Sequence, residues 1–228
     1  MLRIVVAVAA LWAAGVVHAQ VSGNATLTSD YRFRGVSLSD NAPAVQLSVA
    51  YDGAGGWYAG ALASSVRRPF GVDANAQLVA YAGYARRVRG ALSWEGGAEY
   101  VVLTGAPEYD YPEFYVGLVS ERLSARLYYA PRYFSEDASA VYAEINGTQP
   151  LSRRLRLLGH AGWLRPGQEP GAEAESPRFD VLVGLGFALE PFDIRIAWVT
   201  VGGDASSDQY GPDETDRNGW TLALSRSW

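Results

Sequence analysis

The sequence contains no cysteine and no lysine, and its single methionine stands at position 1. Without cysteine the chain can form neither a disulfide nor a thiolate metal site. Without lysine, all 19 basic residues are arginine. The forked guanidinium suits internal ion-pair ladders, although genomic base composition accounts for the same bias more simply. Histidine occurs only as His18 and His160. No apolar run beyond residue 20 reaches the roughly 20 residues that a helix needs to cross a bilayer. A net charge of −5 disfavours nucleic acid as a partner.

Glycine (25 residues), tyrosine (14) and tryptophan (7) are plentiful. The chain is 49% hydrophobic, yet its mean hydropathy is near zero, so apolar and polar residues are interleaved. Aromatics favour strands and membrane interfaces.

Arg3 precedes an apolar run from Ile4 to Val17, and Val17-His18-Ala19 puts small residues at the usual cleavage positions. This pattern predicts a secretory signal peptide over 1–19, cleaved after Ala19. No cysteine follows it, which excludes a lipoprotein signal. Residues 20–228 are then the mature chain. A chain with no membrane-length helix can span a bilayer only as a closed barrel.

Period-two alternation dominates the mature chain. From Val21 to Phe33 the odd positions are mostly apolar (Val21, Gly23, Ala25, Leu27, Tyr31, Phe33) and the even ones polar (Ser22, Asn24, Thr26, Thr28, Asp30, Arg32). A barrel strand between lipid and lumen requires this. Leu92, Trp94, Gly96, Ala98 and Tyr100 share one face, and Ser93, Glu95, Gly97 and Glu99 the other. Twelve strands are predicted, at 21–34, 44–52, 56–66, 75–86, 90–102, 112–120, 123–131, 139–148, 154–164, 178–189, 192–201 and 218–228. The expected fold class is all-β, a transmembrane up-and-down antiparallel barrel of about 12 strands, with 10 or 14 as alternatives.

The connections carry a second signal. Those at 35–43, 67–74, 103–111, 132–138, 165–177 and 202–217 are long, and those at 53–55, 87–89, 121–122, 149–153 and 190–191 are short. Long external loops alternating with tight periplasmic turns are the rhythm of outer-membrane barrels. The late loops are acidic, through Glu169, Glu173 and Glu175 and then Asp204, Asp208, Asp213, Glu214 and Asp216, whereas Arg87, Arg89, Arg122 and Arg153 sit at the short turns. Acidic loops could share divalent cations with lipopolysaccharide, or simply keep the loops soluble. Tyr51, Trp57, Phe187, Phe192 and Trp228 near the turns, and Tyr31, Phe33, Trp163, Phe179, Trp198 and Trp220 near the loops, are expected to form two interfacial girdles. The alternating last strand ends on Trp228 and resembles the C-terminal signal read by the barrel assembly machinery. Arg226 departs from that pattern by sharing the face of Leu224 and Trp228.

Three stretches carry a family resemblance: Ser29-Asp30-Tyr31-Arg32-Phe33-Arg34-Gly35-Val36-Ser37 followed by Pro43-Ala44-Val45-Gln46; Ala80-Tyr81-Ala82-Gly83-Tyr84; and Tyr128-Tyr129-Ala130-Pro131-Arg132-Tyr133-Phe134. Together with Trp57-Tyr58-Ala59-Gly60 they resemble the TorF family of proteobacterial outer-membrane porins. The resemblance implies passage of small solutes and brings no catalytic or binding residues with it.

The expected function is an outer-membrane channel for passive diffusion of small polar solutes in a Gram-negative cell, working without a cofactor and in contact with lipid and lipopolysaccharide. Twelve strands about 4.8 Å apart, tilted about 40°, give a backbone radius of roughly 12 Å. The pore-lining candidates are Asp30, Arg32, Arg34, Gln46, Glu95, Glu99, Arg126, Glu144, Arg156, His160, Asp180 and Arg195. Asp30, Arg32 and Arg34 alternate near the outer mouth and are the expected constriction. An enzyme is disfavoured, because the mature chain keeps one histidine and has no Gly-x-Ser-x-Gly elbow. A lone histidine also makes a zinc site improbable. The alternative is a closed barrel that acts through its acidic loops. Open lumen charges would favour the channel, and fully paired ones the closed barrel.

Overall fold

The alternating segments close into one sheet. The computed structural model describes residues 20–67, 69–134, 139–167, 176–203 and 217–228. The expected signal peptide at 1–19 lies outside the described residues, as do the loop acids Glu169, Glu173, Glu175, Asp204, Asp208, Asp213, Glu214 and Asp216.

The strands are β1 (Gln20–Thr28), β2 (Arg32–Phe33), β3 (Val36–Ser37), β4 (Ala44–Asp52), β5 (Trp57–Ser65), β6 (Ala76–Arg89), β7 (Leu92–Thr104), β8 (Tyr111–Val119), β9 (Leu123–Ala130), β10 (Ala140–Pro150), β11 (Leu155–Pro166), β12 (Arg178–Leu189), β13 (Phe192–Gly202) and β14 (Asn218–Ser227). All but β2 and β3 form the closed barrel, twelve strands in which each pairs with its sequence neighbour. The ring closes where β1 pairs with β14, Asn24 opposite Ser227 and Thr28 opposite Ala223. Every wall pairing is antiparallel. Among the described residues no helix is long and apolar enough to cross a membrane.

Alternation sorts the side chains. In β8, Tyr111, Glu113 and Tyr115 are buried inward, whereas Phe114, Val116 and Leu118 are more than half exposed on the outside. Leu47, Val49, Val183, Ile196 and Leu222 continue this outer apolar band. So extensive an exposed apolar surface is a lipid-facing surface. Tyr51, Trp57, Phe187, Phe192 and Trp228 at the turn end, and Trp163, Phe179, Trp198 and Trp220 at the loop end, all point outward as girdles. Trp228 folds back over Gly23, where an added Cβ would lie 2.6 Å from its indole ring.

The wall is also tuned from within. Gly60 pairs with Tyr81, and Gly83 with Tyr58. Each tyrosine ring lies over the glycine opposite it, and a Cβ on Gly83 would sit 2.5 Å from the Tyr58 ring. The two tyrosine–glycine motifs noted in the sequence are therefore one reciprocal cross-strand pair, in which each glycine makes room for a ring.

The first wall strand is shorter than its alternation predicts. It ends at Thr28, not at 34. After Ser29, which still bonds Leu222 on β14, the chain turns into the barrel instead of extending its wall, and β2 and β3 form a small hairpin of their own. Tyr31 and Phe33 accordingly leave the expected outer girdle and pack on an apolar cluster at the loop end of the lumen. That cluster joins Leu38 with Leu103, Tyr111, Ala130, Tyr133, Phe134, Tyr142 and Leu164.

Candidate functional site

The hairpin follows from local backbone chemistry. Arg32 pairs with Ser37 and Phe33 with Val36, which leaves Arg34-Gly35 as a two-residue loop. Both loop residues have positive φ, +49° and +80°, the signature of the type I′ turn that suits a twisted hairpin. A second turn follows, with Asp40 and Asn41 at φ +57° and +52° and the Ala42 N–H donating to the Ser39 carbonyl at 3.1 Å.

Asp30 ties the segment together. Its carboxylate accepts from Arg32 Nε at 2.6 Å, from Ser37 Oγ at 2.5 Å and from Ser39 Oγ at 3.1 Å. The Leu38 N–H donates to the Tyr31 carbonyl at 2.8 Å, and the Arg67 N–H to the Leu38 carbonyl at 2.9 Å. The Tyr31 hydroxyl donates to Gln77 Oε1 on β6 at 2.5 Å.

The hairpin tip crosses the lumen. A Cβ on Gly35 would lie 2.6 Å from Asp180 Cβ on β12 and would also collide with Val201 on β13. From the same tip, Arg34 reaches the other way and forms a buried ion pair with Glu113 on β8. Its guanidinium lies over the rings of Tyr142 (4.3 Å to the centroid), Phe33 (5.0 Å), Tyr128 (5.4 Å) and Tyr133 (5.6 Å). Tyr133, Phe134 and Tyr111 pack on one another around this cage with ring centroids 4.7 to 5.1 Å apart, Tyr133 edge to face against both of the others. The first and third family-like stretches of the sequence therefore meet in space.

Below the hairpin the lumen holds a cavity of about 660 Å³. Nine of the twelve expected pore-lining residues border it: Asp30, Arg32, Arg34, Gln46, Glu99, Glu144, His160, Asp180 and Arg195. Asp30, Arg32 and Arg34 do so from the hairpin and not from the wall.

Glu95, Arg126 and Arg156 sit in ion pairs among inward residues. Arg126 Nε meets Glu95 at 2.5 Å, its Nη1 lies 3.6 Å from Glu144, and Arg156 bonds Asp193 through both terminal nitrogens at 2.7 Å. Tyr58 donates to Glu95 at 3.1 Å and shares a 2.9 Å bond with Tyr115. His160 is fully engaged, with Nδ1 2.7 Å from Asn146 Oδ1 and Nε2 2.7 Å from Asp180 Oδ1 and 3.2 Å from the Tyr142 hydroxyl. A histidine held in this way positions its neighbours. Among the described residues, no three His, Asp or Glu side chains group to hold a metal ion.

Sequence reasoning missed Glu113, Tyr142, Tyr128, Asn146 and Asp193. A signal for Glu113 was present: it is the one charge on the inner face of β8, between Tyr111 and Tyr115. The cavity wall thus carries charges of both signs, most of them held in pairs, with Arg195 exposed.

The fold is the one used by outer-membrane porins. The KdgM porin superposes with a TM-score of 0.55 at 11% identity, covering 91% of this chain and 98% of the porin. The NanC porin gives 0.54 at 10% identity over 91% and 98%. At such identities the likeness establishes the fold alone. No curated protein sequence matches the chain significantly. A family described as "Bacterial protein of unknown function (Gcw_chp)" matches residues 13–228. It carries that description in place of the TorF name expected from the motifs.

Proposed function

The chain belongs to the Gcw_chp family of bacterial proteins, and we propose that it is a porin-like channel of the outer membrane, passing small polar solutes by passive diffusion. The single observation that carries this reading is the 660 Å³ cavity inside a closed barrel, bordered by charges of both signs on Glu99, Glu144, Asp180 and Arg195. Apolar filling would make such a lumen a mere core, whereas charges of both signs along its wall hold water and bias which ions enter. The narrow point is the hairpin, which carries Arg32 and Arg34 across the outer mouth. Residues 1–19 act as a cleaved export signal in this reading, and the C-terminal strand serves as the assembly signal.

A second reading has its own support. Arg34 and Glu113 are buried together, and an apolar cluster fills the loop end of the lumen. A permanently seated hairpin would make this a closed barrel that acts through its loops. Single-channel recording of the refolded chain in a planar bilayer separates the two, with heat-dependent gel mobility as the control for folding. The channel reading expects discrete current steps whose ion preference changes when Glu99 or Arg195 is neutralised. A folded barrel that carries no current sinks it.

A further inference from the structure

The pocket around Arg34 is built by the barrel and filled by a loop. Glu113, Tyr128 and Tyr142 belong to the wall strands β8, β9 and β10, and Tyr133 to the loop after β9. Among the described residues that touch the guanidinium, only Phe33 comes from the hairpin itself. A carboxylate ringed by aromatic faces is a recognition site for a planar cation, joining charge-assisted hydrogen bonding to cation–π attraction. Burial strengthens both, since the Arg34 and Glu113 side chains are 6% and 1% exposed.

The present occupant fits this site incompletely. Arg34 reaches it only from a left-handed backbone conformation, with φ +49°, which side chains larger than glycine adopt at a cost. Among the described residues, Arg34 Nη1, Glu113 Oε1 and the Tyr111 hydroxyl are buried without a hydrogen-bond partner. A guanidinium free of the turn could rotate in the cage and use more of its donors.

We propose that the Glu113–Tyr128–Tyr133–Tyr142 cage binds guanidinium-bearing solutes, that Arg34 is its tethered occupant, and that a solute taking the place of Arg34 frees the hairpin from the lumen. Binding rests on the cage alone, while its consequence for flow rests on the channel reading above. A tethered group competes at high effective concentration, so the free cation binds weakly to the wild type and strongly once the tether is cut.

The test uses the refolded barrel with Arg34→Ala, ethylguanidinium as the probe and KCl as the matched ionic control. The midpoint of the heat-dependent gel shift should rise with the logarithm of ethylguanidinium concentration, rise far less in the wild type, and not rise in Arg34→Ala/Glu113→Gln. Should Arg34→Ala fold poorly, ethylguanidinium and not KCl should restore its folding yield. Arg34→Lys keeps a cation in the cage, and ethylguanidinium should raise its bilayer current at lower concentration than it does for the wild type. If ethylguanidinium stabilises or restores Arg34→Ala no better than KCl, the binding site is overturned whatever the currents. If it stabilises Arg34→Ala while the wild type, Arg34→Ala and Arg34→Lys all stay silent in the bilayer, the site stands and the release of the hairpin is overturned together with the channel reading.

Discussion

At Gly35 the chain has φ +80° and no room for a methyl group, because Asp180 and Val201 already occupy the space. Gly35→Ala should therefore loosen the hairpin tip, at a cost of about 1–3 kcal/mol from backbone strain and overpacking together. A lower midpoint in the heat-dependent gel shift checks this. Beside it, the Arg34–Glu113 pair is buried on both sides. Removing one partner strands a charge in a water-poor site, which costs about 3–5 kcal/mol. Glu113→Ala should thus destabilise the barrel far more than replacement of both partners by apolar residues of similar size, and a double-mutant cycle should show strong coupling. Denaturant titration of the four proteins measures it. Asp30 and Arg34 stand out in the sequence as charges inside an aromatic stretch. Glu113 was as readable, as a lone charge on the inner face of an apolar-looking strand. That Arg34 and Glu113 meet was not readable, because it depends on a loop folding back through the barrel.

At the scale of the element, alternation located eleven of the twelve wall strands to within three residues at each end. Its one large error is at β1, expected to reach residue 34 and ending at Thr28. The cause is physical. Tyr31 and Phe33 keep the odd-position apolar pattern, but they serve the interior cluster and not the lipid. Period two reports which side chains share a face; it does not report whether that face looks at lipid or at a filled lumen. The turn residues Arg34-Gly35 and Asp40-Asn41 held the missing information, since each pair adopts positive φ. In the wall, facing decides tolerance. Leu47 lies mid-strand in β4 and is about half exposed on the outer side. Leu47→Arg should cost about 2–4 kcal/mol in a bilayer, the penalty for a cation near mid-membrane. The neighbouring inward Ser48→Arg should cost less, and refolding into vesicles with denaturant titration compares the two.

For the whole molecule, the long-short rhythm of connections and the alternation were enough to anticipate a closed barrel. The lumen was less legible. Nine expected lining residues do border one cavity, but three of them reach it from a hairpin that the pattern assigned to the wall. Under the proposed function, the filled loop end and the charge-bordered cavity beneath it make the lumen a conduit whose width residues 29–43 set. Thr28 already pairs with Ala44, so a two-residue Asn-Gly turn can replace 29–43 without disturbing the wall. The most direct measurement is the single-channel conductance of that variant beside the wild type, both shown to be folded by gel shift. Discrete steps are expected in both proteins, larger in the variant. Equal conductance would contradict the hairpin as the constriction, and silence from both folded barrels would contradict the conduit itself.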